Sequence, residues 1–184
     1  MIFEEKTLES ERMYTGSIFN IRKDKVTVMN GSSYRDILEH NGGSVIVPIK
    51  DNGNVVMVRQ YRKAADAVML EAPAGKIDEG ENPLDAAKRE LKEETGYTAS
   101  DVTLLTEMMP TPGYSEEVLY LYVATGLVPG ETDFDENEAI DIVEYHIDEL
   151  FDMVMSGKIR DGKTQVAVLM VKNLYDNGAL KAGE

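Results

Sequence analysis

Short alternations of apolar and polar residues fill the first forty positions, as in Met13-Tyr14-Thr15-Gly16-Ser17-Ile18-Phe19-Asn20-Ile21 and Lys25-Val26-Thr27-Val28-Met29. A period of two marks half-buried strands, and Asn30-Gly31 is a hairpin turn signal. The pattern predicts about three antiparallel strands, the third running from Tyr34 to His40, carrying Arg35 and closed by Asn41-Gly42-Gly43. Such a sheet is marginal alone, so an arm spanning residues 1–41 is expected to pack on another surface, and a partner subunit is a candidate.

From residue 42 onward the pattern changes. Ser44–Ile49 and Asn54–Val58 are nearly continuous apolar runs joined through Asp51-Asn52-Gly53, as buried strands require. The run Val68-Met69-Leu70 leads through Glu71-Ala72-Pro73-Ala74 to Gly75, where Pro and Gly end the strand. Between Pro83 and Thr95 the period becomes helical. Leu84, Ala87 and Leu91 form the core stripe, while Asp85, Lys88 and Lys92 point elsewhere. Asn82 suits the N-cap, Pro83 the first turn, and Gly96 a left-handed C-terminal stop. Strands follow at Val102–Met108, Val118–Ala124 and Ala139–His146, with an acidic loop from Pro129 to Glu138. Helices Ile147–Ser156 and Thr164–Asn177 close the chain, before Gly157 and Gly178.

The predicted first helix concentrates charge on one edge. Glu90 and Glu94 lie almost above one another and Glu93 flanks them, so three carboxylates fall within five residues. Like charges at this spacing destabilise a bare helix by a few tenths of a kcal/mol per pair. A solvated acidic face is the bland explanation; hard oxygen ligands at this density also suit Mg²⁺ or Mn²⁺.

Composition narrows the reading. At 184 residues and 42% hydrophobic the chain is long enough for one globular core. No apolar run reaches the ~18 residues of a membrane span, and MIFEEKTLESER does not read as a signal peptide, so a cytoplasmic location is expected. The lack of cysteine excludes disulfides and thiolate chemistry. A net charge of −15 argues against nucleic acid as main partner and requires that an anionic substrate be met by local cations. Arg59 and Arg62, just upstream of the acidic helix, are candidates. His40 and His146 stand alone and read as structural, and the ten methionines as gap-filling core residues.

The stretch Gly75–Tyr97 resembles the Nudix box, G-x5-E-x7-R-E-U-x-E-E-x-G-U with U a bulky apolar residue. Gly75, Glu81, Arg89, Glu90, Leu91, Glu93, Glu94, Gly96 and Tyr97 fill its positions in register. VRQYR, LEAPAGKIDEGE and PTPGYSEE, with Pro112 about sixteen residues beyond Gly96, look like the ADP-ribose pyrophosphatase branch.

The resemblance implies an α/β/α sandwich with a mixed sheet over residues 42–184, preceded by the antiparallel β arm, which this branch exchanges in a homodimer. It implies a pyrophosphohydrolase that splits ADP-ribose, a nucleoside diphosphate sugar, into AMP and ribose 5-phosphate with about two or three Mg²⁺ or Mn²⁺ ions. Glu90, Glu94 and the Ala74 carbonyl would be ligands, and Glu93 would bridge metal or serve as base. Arg89 would orient the glutamates, Arg62 and Arg35 would contact substrate, and Pro112 would mark the substrate loop. The base would be Glu136 first, then Glu138. The rival readings are a Nudix enzyme for another nucleotide sugar or a dinucleotide cofactor, and a non-catalytic ADP-ribose sensor.

Overall fold

The computed structural model describes residues 2–134 and 139–180. Two compact units emerge: one holds the chain up to Gly42 with Met109–Val118, the other Gly43–Met108 with Leu119 onward.

The first unit is an antiparallel sheet of β1 (Thr7–Thr15), β2 (Asn20–Val28) and β3 (Gly31–Glu39), in that spatial order. The three antiparallel strands expected here are present, and the alternating stretch Met13–Ile21 spans the end of β1, a turn and the start of β2. The Gly16 N–H donates to the Phe19 carbonyl at 3.1 Å, and a Cβ on Gly16 would lie 2.6 Å from the Tyr14 ring. The apolar alternation continues through this turn because Ile18 and Phe19 are exposed, not because they face a core. Arg22 ties the unit together through Asp24 at 3.0 Å, Glu39 at 2.9 Å and Glu116 at 2.5 Å. Residues 109–118 are held on β3 by Leu38 N–H to the Tyr114 carbonyl at 2.7 Å and Glu116 N–H to the Leu38 carbonyl at 2.9 Å. All nine residues of β1 are exposed.

The second unit contains β4 (Gly43–Pro48), β5 (Asn54–Arg62), β6 (Ala67–Glu71), β7 (Ala74–Lys76) and α1 (Pro83–Thr95). It continues with β8 (Thr98–Met108), β9 (Leu119–Val128), β10 (Ile140–His146), α2 (Ile147–Met155) and α3 (Gly162–Asp176). One sheet runs β7-β4-β9-β8 and a second runs β10-β5-β6. The β4–β9 pair is parallel, with Val45 opposite Leu121, and the other pairs are antiparallel.

The uninterrupted apolar character of β4 reflects burial on both faces. Ile46 packs with Ala87 and Leu91 of α1 and with Tyr122 and Ala124. Val45 and Val47 belong to the cluster that holds Ile147, Leu150, Val168 and Val171 of α2 and α3. Alternate residues of one strand thus reach opposite helical layers, which makes an α/β/α sandwich with a mixed sheet. Each such side chain contributes about 1.5–3 kcal/mol by leaving water. The last helix starts at Gly162, two residues before the expected Thr164, because Asp161 is its N-cap and accepts from the Thr164 N–H. No helix among the described residues is long and apolar enough to cross a membrane.

Candidate active site

The site is built where α1 lies against the loop that enters it. The Asn82 side chain accepts the Leu84 N–H at 2.9 Å, Pro83 begins the helix, and Gly96, at φ 75°, ends it with its N–H on the Lys92 carbonyl. These are the caps the sequence marks. They set Glu90 and Glu94 inward, where both are buried, and leave Glu93 at the rim.

Pairing of β7 with β4 brings in the second wall, with Gly75 opposite Ser44 and Ala74 opposite Val45. The Ala74 N–H donates to Glu94 Oε2 at 2.9 Å. At Gly75 the backbone runs directly against Glu90: an added Cβ would lie 1.9 Å from Glu90 Oε1.

Arg89 organises the acidic edge. Its Nε and Nη2 donate to the two oxygens of Glu81 at 2.9 and 3.0 Å, and its Nη1 to Glu90 Oε1 at 2.6 Å and Glu93 Oε2 at 3.0 Å. Nη2 also reaches the Lys76 carbonyl at 3.2 Å. The Glu81 hydrogen bonds, ahead of those of Glu90 and Glu93, hold the guanidinium pKa above its ordinary value. The same Arg89 bonds, then the Asp78 N–H, hold the Glu81 carboxyl below its own. One cation offsets the repulsion that the helix sequence alone would carry.

Glu90, Glu93, Glu94, Arg89 and Ala74 therefore come together. Arg62 lies in the same unit, where Glu71 accepts two hydrogen bonds from it. Arg35 lies on β3 of the first unit, where it pairs with Glu5 and donates to the Tyr34 carbonyl at 2.9 Å. Pro112 is an exposed residue of that unit. Glu136 and Glu138 lie outside the described residues.

Sequence reading missed a second group of charges. Glu71, Lys163 and Asp161 form a linked set, with Thr164 joining α3 to the Ala72 N–H at 2.9 Å. A charged residue inside the run Val68-Met69-Leu70-Glu71-Ala72 was the one available signal. The start of the acidic loop is also held at the end of α1. The Asp133 N–H donates to the Glu93 carbonyl at 3.0 Å, and a Cβ at Gly96 would lie 2.7 Å from the Gly130 carbonyl oxygen.

Among the described residues no group of three or more His, Asp or Glu is arranged to hold a metal ion. The site's donor chemistry nevertheless fits a hard divalent cation: all its side-chain acceptors are carboxylate oxygens, and Gly75 leaves Glu90 room that any side chain would fill.

Residues 40–170 match the family model described as NUDIX domain. The chain is similar to the methanol dehydrogenase activator of Bacillus methanolicus, 38% identical over 91% of this chain and 92% of that protein. It is also similar to the ADP-ribose pyrophosphatase of Bacillus subtilis (strain 168), 34% identical over 90% and 91%. A crystal structure of an ADP compounds hydrolase superposes with a TM-score of 0.85 at 25% identity, covering 98% of this chain and 99% of the other. With the box complete in sequence and assembled in the fold, this chain belongs to the Nudix family.

Proposed function

We propose that this protein hydrolyses the pyrophosphate bond of ADP-ribose, releasing AMP and ribose 5-phosphate. The observation that carries the reading is the set of Glu90, Glu93 and Glu94 gathered around Arg89 and the Ala74–Gly75 wall. Similarity to an ADP-ribose pyrophosphatase over nine-tenths of both chains supports the substrate.

Glu90 and Glu94 are the proposed principal holders of Mg²⁺ or Mn²⁺, with Glu93 and the Ala74 carbonyl completing the set. When bound, the cations would neutralise pyrophosphate oxygens and acidify a water. Arg89 aligns the carboxylates through the bonds described above, and Arg62 meets the substrate phosphate. Glu136 is the first candidate to take the proton from the attacking water, Glu138 the second and Glu93 the third. The water oxygen joins phosphorus as the bridging P–O bond breaks, and the departing phosphate takes the electron pair.

The exposed β1 strand supports a homodimer formed through the N-terminal arm, within which Arg35 reaches substrate. The deciding experiment is product analysis with Mg²⁺ and ADP-ribose, beside GDP-mannose, NADH, FAD and diadenosine polyphosphates. Selective release of AMP and ribose 5-phosphate supports the reading. Preference for another compound overturns the substrate, and binding of ADP-ribose without turnover of anything overturns the enzyme.

A further inference from the structure

Glu71 ends β6 and is 2% exposed, yet its carboxylate is met by two cations. Burial pushes its carboxyl pKa up, but hydrogen bonds from Arg62 and the charge of Lys163 outweigh that and bring it below its ordinary value. Arg62 approaches with two prongs, Nε to Oε1 at 2.8 Å and Nη2 to Oε2 at 2.9 Å. Lys163 donates to the same Oε2 at 2.5 Å and to Asp161 at 2.9 Å. The four charges cancel. Ion pairs around a buried carboxylate are a poor route to stability, since an apolar residue of the same volume at that position does as well or better. Thr164 adds an attachment of α3 that does not involve Glu71: its Oγ accepts from the Ala72 N–H and donates to Asp161.

The set is instead suited to aiming. The Arg62 side chain remains 43% exposed while its inner edge is bound, and its guanidinium feels the charge of Glu94 on the carboxylate edge of α1. An arginine that reads phosphate works through a planar fork, and losing rotamer freedom before substrate arrives is an advantage.

We infer that Glu71, backed by Lys163, is a positioning residue: it clamps the Nε and Nη2 edge of Arg62 and so presents the Nη1 edge to the substrate phosphate. The inference rests on the proposed reading of Arg62 as a phosphate ligand. Lys163 donates to the Glu71 Oε2 that Arg62 Nη2 also uses, so that Arg62 is not the sole counter-charge and can share itself with substrate without leaving a buried anion alone.

The test is a double-mutant cycle of Glu71→Gln and Arg62→Ala, read as KM and kcat with Mg²⁺ alongside the thermal midpoint of each variant. Glu71→Gln keeps shape and one acceptor. It is expected to raise KM about threefold to tenfold, the cost of ordering one long side chain on binding, with kcat within about twofold. In the Arg62→Ala background the same change is expected to leave KM unaltered, because nothing remains to be aimed. An equal KM increase in both backgrounds, an unchanged or lower KM in the first, or an effect confined to kcat overturns the inference. If Glu71→Gln does not fold, Lys163→Met takes its place in the cycle with the same expectations. The wild-type protein is first assayed on the substrate panel, and the cycle is run on the compound it turns over fastest, or as binding of ADP-ribose if it turns over none. Failure on ADP-ribose then overturns the proposed substrate, while the cycle independently decides the role of Glu71.

Discussion

Gly75 and Glu90 approach so closely that a methyl group on the first would overlap the second, its carbon falling 1.9 Å from Oε1 and 2.2 Å from Cδ. The Gly75 backbone lies outside the left-handed region, so alanine is conformationally acceptable there and the conflict falls on the carboxylate. Gly75→Ala is therefore expected to lower kcat by about a hundredfold, the scale of a displacement near 1 Å at a reacting centre. Stability should change by only about 1 kcal/mol or less. Paired measurement of turnover and thermal midpoint checks both, and full turnover would remove Glu90 from the proposed metal-binding set.

Glu93→Gln and Glu94→Gln each delete a charge while keeping an oxygen acceptor. Either is expected to reduce kcat by about two to four orders of magnitude, as losing a charge-stabilising or acid-base group does. Assays at saturating Mg²⁺ and ADP-ribose decide the point; a variant with near-normal turnover leaves the mechanism.

Arg62→Ala is expected to act mainly on KM, raising it roughly tenfold to a hundredfold, the worth of a hydrogen bond to a charged group. It removes one of the two cations that hold Glu71, so the thermal midpoint should fall as well. An unchanged KM with lowered stability would reduce Arg62 to a partner of Glu71 alone.

The carboxyls of Glu71 and Glu81 both lie below their ordinary value of 4.5. A depressed native value means that each contributes stability above the unfolded-state value and loses it as pH falls through the native one. The stability difference between wild type and Glu71→Gln is thus expected to be full near pH 7 and to shrink below about pH 4.5. Denaturant titrations at about pH 7 and about pH 3 measure it; a difference that grows on acidification contradicts the assignment of charge to Glu71.

Removal of residues 1–40 is expected to convert the proposed dimer into a monomer in light scattering, since it removes the arm with its fully exposed β1. A dimer that persists without these residues places the interface elsewhere.

What could be read from the sequence was what is local. The caps of α1 are decided by Asn82, Pro83 and Gly96 within the helix's own reach, and its carboxylate edge follows from the helical period. The Gly16 hairpin was hidden because Ile18 and Phe19 keep an apolar rhythm while facing water. Glu81 shows its hold on Arg89 only once the loop folds back over eight residues. Lys163 and Glu71 are ninety-two positions apart and carry no mutual signal. The cap on α3 illustrates the margin: Asp161 is an ordinary N-cap residue, passed over because the apolar period of the helix begins further on.

The parallel pairing of β4 with β9 has a consequence for how the molecule comes into being. Gly43 of β4 pairs with Leu119 of β9, so this central ladder closes only after a long intervening stretch has been made. Closing such a loop must precede the contacts that reward it, and parallel pairings of this span are slow. The Nudix box is complete in the growing chain once Tyr97 has been added, but Ile46 and Leu91 share their cluster with Tyr122 and Ala124. During synthesis from the N-terminus, the carboxylates of α1 are therefore all present before the platform that spaces them. Competence to gather a cation arrives late, in the same step that seals the core.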